Sequence, residues 1–166
     1  MADKGGDRIM ELKNRSQYLD KLISVQDMEV IKVVTGIRRC GKSSLLKLMM
    51  AHLREQGVME EQILSMNFES MQFADMDSKS LYQYVTERES KGKRLYLFLD
   101  EVQKVRDWQD AVNSFRVDLD CDIYVTGSNS QLMSSEISTY LTGRYISIPV
   151  FTLSFAEYLE FKKDSG

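Results

Sequence analysis

The stretch Gly36-Ile37-Arg38-Arg39-Cys40-Gly41-Lys42-Ser43 fits G-x-x-x-x-G-K-[ST] at every specified position. Phosphate oxygens need several backbone N–H groups converging on them, so a loop that binds them must curl tightly. Glycines at both ends permit the backbone angles and the close approach. The loop runs into a helix, whose unpaired amides and positive dipole end favour an anion. Lys42 supplies a charge for the β/γ-phosphates, and the Ser43 hydroxyl is placed to ligate Mg²⁺. The expected nucleotide contacts are Gly36, Ile37, Arg38, Arg39, Cys40, Gly41, Lys42, Ser43 and Ser44.

The flanks agree with that reading. An apolar run, Val30–Val34, leads into the loop, and Leu45, Leu46, Leu48, Met49 and Leu53 trace an apolar stripe at helical spacing after it. Four further strand candidates follow: Ile63–Phe68, Leu95–Leu99, Asp122–Val125 and Ile146–Val150. Several are nearly continuous in apolar residues, as strands covered on both faces should be. Pro149 removes a ladder donor, so the last candidate belongs at a sheet edge. Helix candidates lie between them, around Leu81–Val85, Ala111–Phe115 with Asp107 as its cap, Leu132–Leu141, and from the capping box Ser154–Glu157. A helix around Ile9–Ile23 is expected ahead of the first strand, after a flexible start over 1–8. Strands alternating with helices predict an α/β domain with a mainly parallel sheet, a single core over 9–163.

The second chemical signal is Leu95-Tyr-Leu-Phe-Leu-Asp100-Glu101, an apolar strand ending in two carboxylates. Asp100, at the strand's carboxyl end, would face the Mg²⁺ held by Ser43 through water. Glu101 can take the proton of the attacking water. A second carboxylate separates this plan from a GTPase, where a glutamine positions the water, and no Asn-Lys-x-Asp motif is present. The third signal is Asp122-Ile-Tyr-Val-Thr126-Gly127-Ser128-Asn129. Thr126 or Ser128 could bond the γ-phosphate or the lytic water, and the sequence does not separate the two. Ser128 and Asn129 also suit a turn and a helix cap.

Composition narrows the partners. The chain has 166 residues and a formal net charge of −3, so nothing global points to nucleic acid or an anionic membrane. Cys40 and Cys121 are too few for a disulfide scaffold and form no Cys/His cluster, which favours a reducing, cytoplasmic setting without structural zinc. No apolar run approaches the ~20 residues that span a bilayer. Arg38 and Arg39 read as solvated or ion-paired, His52 as an exposed or boundary residue, and Trp108 as a packing anchor.

Three runs together closely resemble a family of prokaryotic AAA-type ATPases described as ATP-binding proteins. They are Ile31-Lys-Val-Val-Thr-Gly-Ile-Arg-Arg-Cys-Gly-Lys-Ser-Ser-Leu-Leu46, Leu97-Phe-Leu-Asp-Glu-Val-Gln103 and Thr126-Gly-Ser-Asn-Ser130. Leu141-Thr-Gly-Arg144-Tyr145 and Leu153–Leu159 are similar to it as well. The resemblance implies a P-loop NTPase three-layer sandwich with strand order 5-1-4-3-2. It also implies a winged-helix segment and a restriction-nuclease-like C-terminal domain, for which the chain leaves no room after Phe161. It further implies that Asn67 gates Glu101, and that Arg144 serves a neighbouring subunit of a homo-oligomer, a surface position or a salt bridge being the competing readings. ATP and Mg²⁺ are the expected ligands. Hydrolysis, with Glu101, Lys42, Thr126, Ser128 and Arg144 as the catalytic set and Ser43 with Asp100 on the metal, stands first among three readings. A nucleotide-binding switch with slow or no hydrolysis is the second. A small-molecule kinase is the third, disfavoured by the lack of an arginine-rich lid.

Overall fold

The strands are held where buried apolar runs find partners on both sides. In a computed structural model, residues 16–36, 41–128, 132 and 144–150 are described. A helical stretch over 16–24 (α1) precedes β1 (Ile31–Thr35) and α2 (Lys42–Glu55). Then come β2 (Ile63–Asn67), α3 (Ser78–Glu87), β3 (Leu95–Asp100), α4 (Trp108–Asp118), β4 (Cys121–Gly127) and β5 (Tyr145–Pro149). The sheet order is β2-β3-β4-β1-β5, the expected 5-1-4-3-2 read from the other side. Every pairing among these strands is parallel. β5 is an edge strand, and Pro149 at its end stands opposite Thr35. Its missing N–H therefore faces away from the ladder.

Strand ends differ from the sequence expectation by one or two residues. β4 runs on through Thr126 and Gly127 because these pair with Val34 and Thr35. β1 likewise starts at Ile31 and extends to Thr35. Asp107 does precede α4, but as a correction its carboxylate does not cap it. The residue sits at φ 56° and ψ 36° and makes no side-chain bond to the helix. A capping side chain needs extended backbone to reach back to the free amides, and the left-handed conformation points it elsewhere. Asp77, at φ −113° and extended, is the working cap: its Oδ1 accepts from Ser80 N at 2.9 Å at the start of α3. The helices expected over Leu132–Leu141 and from Ser154 lie outside the described residues except for Leu132.

Side-chain alternation along the strands separates two cores. One face carries Ile31, Val33, Leu95, Leu97, Leu99, Ile123 and Val125 against α3 and α4, through Leu81, Val85, Val112 and Phe115. The other carries Val34, Tyr96, Phe98, Tyr124 and Ile148 against α1 and α2, through Leu22, Leu45, Leu46, Met49 and Leu53. Helices on both faces of one parallel sheet make the three layers. On the α2 face, near the strands' amino ends, Lys32 and Asp122 form a fully buried ion pair. Lys32 Nζ also donates to Met28 O at 2.9 Å, and Asp122 Oδ2 accepts from Tyr124 Oη at 2.7 Å and Asp27 N at 3.0 Å. Burial holds the Lys32 ammonium below the ordinary lysine range despite that partner.

Candidate functional site

The carboxyl ends of β1, β3 and β4 converge on the start of α2. Gly41, in the residue before α2, has φ 92° and ψ 17°, a left-handed conformation that strains any side chain. Among the described residues, nothing lies within 4 Å of where a Cβ on Gly41 would be. Ile37, Arg38, Arg39 and Cys40 lie outside the described residues. Lys42 is buried at 4% exposure, and its ammonium donates to Gly36 O at 2.7 Å. It stands 3.4 Å from Glu101 Oε1. Ser43 sits on the exposed side of α2's first turn, with Ser44 half-buried beside it.

Asp100 ends β3 and is clamped by two hydroxyls. Ser43 Oγ donates to its Oδ2 at 2.6 Å, and Thr126 Oγ1 donates to its Oδ1 at 2.5 Å. Hydroxyl-to-carboxylate bonds are charge-assisted and stronger than neutral ones. The same Thr126 hydroxyl accepts from Glu101 N at 3.0 Å. One fully buried oxygen on β4 thus holds both residues of the acidic pair. Register allows this because Leu99 pairs with Val125, which brings the next residues of β3 and β4 side by side.

Glu101 follows β3 at φ 58° and ψ 49° and opens a short 3₁₀ turn over Val102–Lys104. A left-handed glutamate is strained relative to the common regions. The turn is anchored by Val102 and Val105, which are buried at 0% and 1% exposure. It sends Gln103 back onto Glu101, where Nε2 donates to Oε2 at 2.5 Å. Sequence reasoning missed Gln103. Its signal was faint: an amide two residues after the acidic pair, facing a glycine. A Cβ on Gly127 would overlap the Leu132 side chain and Gln103 Oε1.

The remaining expected residues sort themselves by place. Thr126 and Ser128 are now separable. Thr126 is committed to Asp100 and Glu101, whereas Ser128 lies past the strand, where its carbonyl accepts from Leu132 N at 2.9 Å. Asn67 pairs with Asp100 along the backbone, and its side-chain oxygen accepts from Glu69 N at 3.0 Å. Among the described residues it is Gln103 that reaches the Glu101 carboxylate alongside Lys42. Arg144 is exposed immediately before β5, and its carbonyl accepts from Ile31 N at 2.9 Å. Ile31 begins β1 and Thr35 ends it, so about four rises of ~3.3 Å, ~13 Å, separate Arg144's backbone from the carboxyl ends. The structure does not bring Arg144 to its own chain's cluster. Cys121 is partly buried, and burial pushes its thiol up to about 12, outside the range of a reactive thiolate. Trp108 is buried in the α3/α4 core, as a packing anchor should be.

A parallel sheet ordered 5-1-4-3-2, with the glycine–lysine–serine loop after β1 and an acidic pair after β3, is the fold of a P-loop NTPase. Residues 29–159 match the family described as "AAA domain", and the chain belongs to that family. The chain is 42% identical over 151 residues to an uncharacterized protein of Haemophilus influenzae, covering 90% of this chain and 38% of that one. It is 29% identical over 155 residues to an uncharacterized protein of Methanocaldococcus jannaschii, covering 92% and 34%. The chain therefore spans little more than a third of the length of these relatives. In fold it is similar to the crystal structure of Cdc6p from Pyrobaculum aerophilum, with TM-score 0.57 and 10% identity over 90% of this chain and 48% of that. It is also similar to a DNA polymerase III gamma subunit-related protein from Thermotoga maritima, with TM-score 0.57 and 11% identity over 89% and 49%. Identities this low show the fold alone. Family membership suggests nucleotide binding in general terms. The winged-helix segment and nuclease-like domain find no support in these matches. Among the described residues no helix is long and apolar enough to cross a membrane.

Proposed function

We propose that the chain binds ATP with Mg²⁺ at the carboxyl ends of β1 and β3 and hydrolyses its β–γ anhydride. The carrying observation is the chain of contacts Ser43–Asp100–Thr126–Glu101, with Lys42 alongside. The amide end of α2 follows the left-handed Gly41, as a phosphate-binding turn requires, and Lys42 is the buried cation in that first turn. The Ser43 hydroxyl and Asp100 carboxylate, 2.6 Å apart, are the hard oxygen donors that suit Mg²⁺. Mg²⁺, when bound, neutralises phosphate charge as it develops.

The protein's own residues do the rest. Lys42 balances charge on the β/γ-phosphates, and Glu101 accepts the proton of the attacking water. Thr126 ties the Asp100 carboxylate to the backbone of Glu101, so the metal-side carboxylate and the residue that bears the water-side one are held in fixed relation. A second reading, a nucleotide switch with little turnover, draws on Arg144. Its place at the far end of the sheet means that a separate copy lacks this arginine's charge at its own site. Ser128 and Arg144 enter the proposal only as groups that would meet the γ-phosphate, Arg144 from a neighbouring copy.

Steady-state ATP hydrolysis with Mg²⁺, measured across protein concentration, tests this. Turnover that vanishes in Lys42→Ala and in Glu101→Gln, while Glu101→Gln still binds ATP, is expected. Binding without turnover at any concentration would sink hydrolysis and leave the switch.

A further inference from the structure

Glu101 has a feature that the hydrolysis reading does not account for. A general base needs its carboxylate held at one orientation, yet this one sits on a residue with left-handed backbone and faces an ammonium that pulls it one way. Lys42 takes Oε1 at 3.4 Å, and Gln103 Nε2 takes Oε2 at 2.5 Å. The carboxylate is thus strung between a cation and an amide. An amide facing a carboxylate must present its NH₂ end, so the Gln103 carbonyl is turned the other way. That oxygen is buried with no partner among the described residues, and it sits beside Gly127. An unpaired buried carbonyl costs free energy, so the arrangement is held by the bond at the amide's other end. The surroundings leave Gln103 little freedom. Val102 and Val105 pin the turn beneath it, and the bare Cα of Gly127 gives it room that any side chain would fill.

We propose that Gln103 is a positioning residue: its NH₂ group fixes the Glu101 carboxylate in the orientation from which it accepts the water proton. The inference rests on the hydrolysis reading for its consequence, but not for its geometry. Gln103 acts through Glu101 and is not itself assigned a contact with nucleotide. Gly127 belongs to the same device, because the amide can lie where it does only over a residue without a side chain.

The test uses the full chain and four variants: Gln103→Met, Gln103→Glu, Glu101→Ala and the double variant Gln103→Met with Glu101→Ala. Gln103→Met keeps the volume and loses the donor. It is expected to lower kcat by about 10- to 100-fold while Mg·ATP affinity stays within about twofold, since a displaced base costs rate and not binding. Gln103→Glu keeps the shape, removes the donor and sets a second carboxylate against the first. Its kcat is therefore expected to fall at least as far as that of Gln103→Met, which a purely packing role would not produce. A double-mutant cycle of Gln103→Met with Glu101→Ala, read by chemical denaturation, needs no catalysis. It is expected to show a coupling of about tenfold in the folding equilibrium constant. Absence of coupling overturns the inference whether or not ATP is hydrolysed, as does an unchanged kcat for Gln103→Met in an active parent. Coupling in a parent that turns over no ATP supports the placement of Glu101 by Gln103 and refutes hydrolysis instead.

Discussion

Replacing Thr126 with valine removes one hydroxyl and leaves the shape of the side chain nearly intact. That hydroxyl makes two bonds, to Asp100 Oδ1 at 2.5 Å and from Glu101 N at 3.0 Å, in a position with no exposure. A bond to a charged group contributes about 1.5–3 kcal/mol net, and a neutral one about 0.5–1.5 kcal/mol. Valine creates no cavity and suits a strand, so packing and propensity changes are small. The two bonds share one oxygen, so the sum is less than additive, and the expected loss is about 2–4 kcal/mol. At ~2–4 °C per kcal/mol for a chain of this size, the melting temperature should fall by about 5–15 °C. Urea denaturation followed by circular dichroism gives the free energy directly, with an unchanged m-value showing that the unfolded state is the same. Ser43→Ala is the comparison. It removes a bond to the other oxygen of Asp100, but from an exposed residue where water can replace it, so its effect should be smaller. A loss for Thr126→Val below about 0.5 kcal/mol, or no larger than that for Ser43→Ala, would refute the claim that this hydroxyl ties the acidic pair together.

Lys32→Met leaves the buried Asp122 carboxylate, among the described residues, with Tyr124 Oη and Asp27 N alone, and should cost about 3–5 kcal/mol in guanidinium denaturation. Adding Asp122→Leu to it should recover most of that loss. Burial and the Asp27 carboxylate push the Tyr96 phenol up from 10.0 to about 12. The unfolded chain releases that proton first, so the contribution is present below pH 10 and lost as pH rises toward 12; Tyr96→Phe should flatten stability against pH over that window. If Arg144 serves a neighbouring copy, Arg144→Ala and Glu101→Gln chains should each be nearly inactive alone. Mixed, they should regain ATP hydrolysis beyond the sum of the two, and no gain on mixing would refute the in-trans role.

The sequence made the Gly41-Lys42-Ser43 start of α2, the acidic pair at the end of β3 and the edge position of Pro149 legible because each follows from a local rule. Glycine spacing, a lysine and a serine specify a phosphate loop without reference to anything distant. Other features exist only through pairing. Gly127 is in β4 because it meets Thr35, which no window around Gly127 reveals. Lys32 reads as an odd charge in an apolar run until Asp122, on the neighbouring strand, lies against it. Thr126 and Ser128 were indistinguishable by residue type, and they part only because Thr126 is still in the strand, facing Asp100. Gln103 escaped for a different reason. Its meaning depends on a left-handed Glu101 and a 3₁₀ turn, and backbone sign changes leave little trace in composition. Asp107 shows the reverse error, a correct residue type at a cap position whose backbone forbids the capping bond.

Strand alternation explains how so polar a pair of clusters can share one face of the sheet. Residues two apart point the same way, so Tyr96, Phe98 and Asp100 of β3 lie in line, beside Asp122, Tyr124 and Thr126 of β4 and Lys32 and Val34 of β1. The amino end of that face holds the Lys32–Asp122 pair and the Tyr96 bond to Asp27, at 2.8 Å. Its carboxyl end holds Asp100 and Thr126. Between them Phe98 and Tyr124 stack at 4.7 Å and 9°, with Val34 in the same layer. Two polar rows are thus kept apart by an apolar one, and each is satisfied by its own partners, Asp122 by Lys32 and Asp100 by the Ser43 and Thr126 hydroxyls. Lys32 cannot compensate for a lost Lys42, nor Asp122 for a lost Asp100, because four strand rises, ~13 Å, and a ring stack intervene. Substitutions in the amino-end row should therefore change how firmly α1 and the sheet are joined, and leave the relative placement of Lys42, Asp100 and Glu101 as it is.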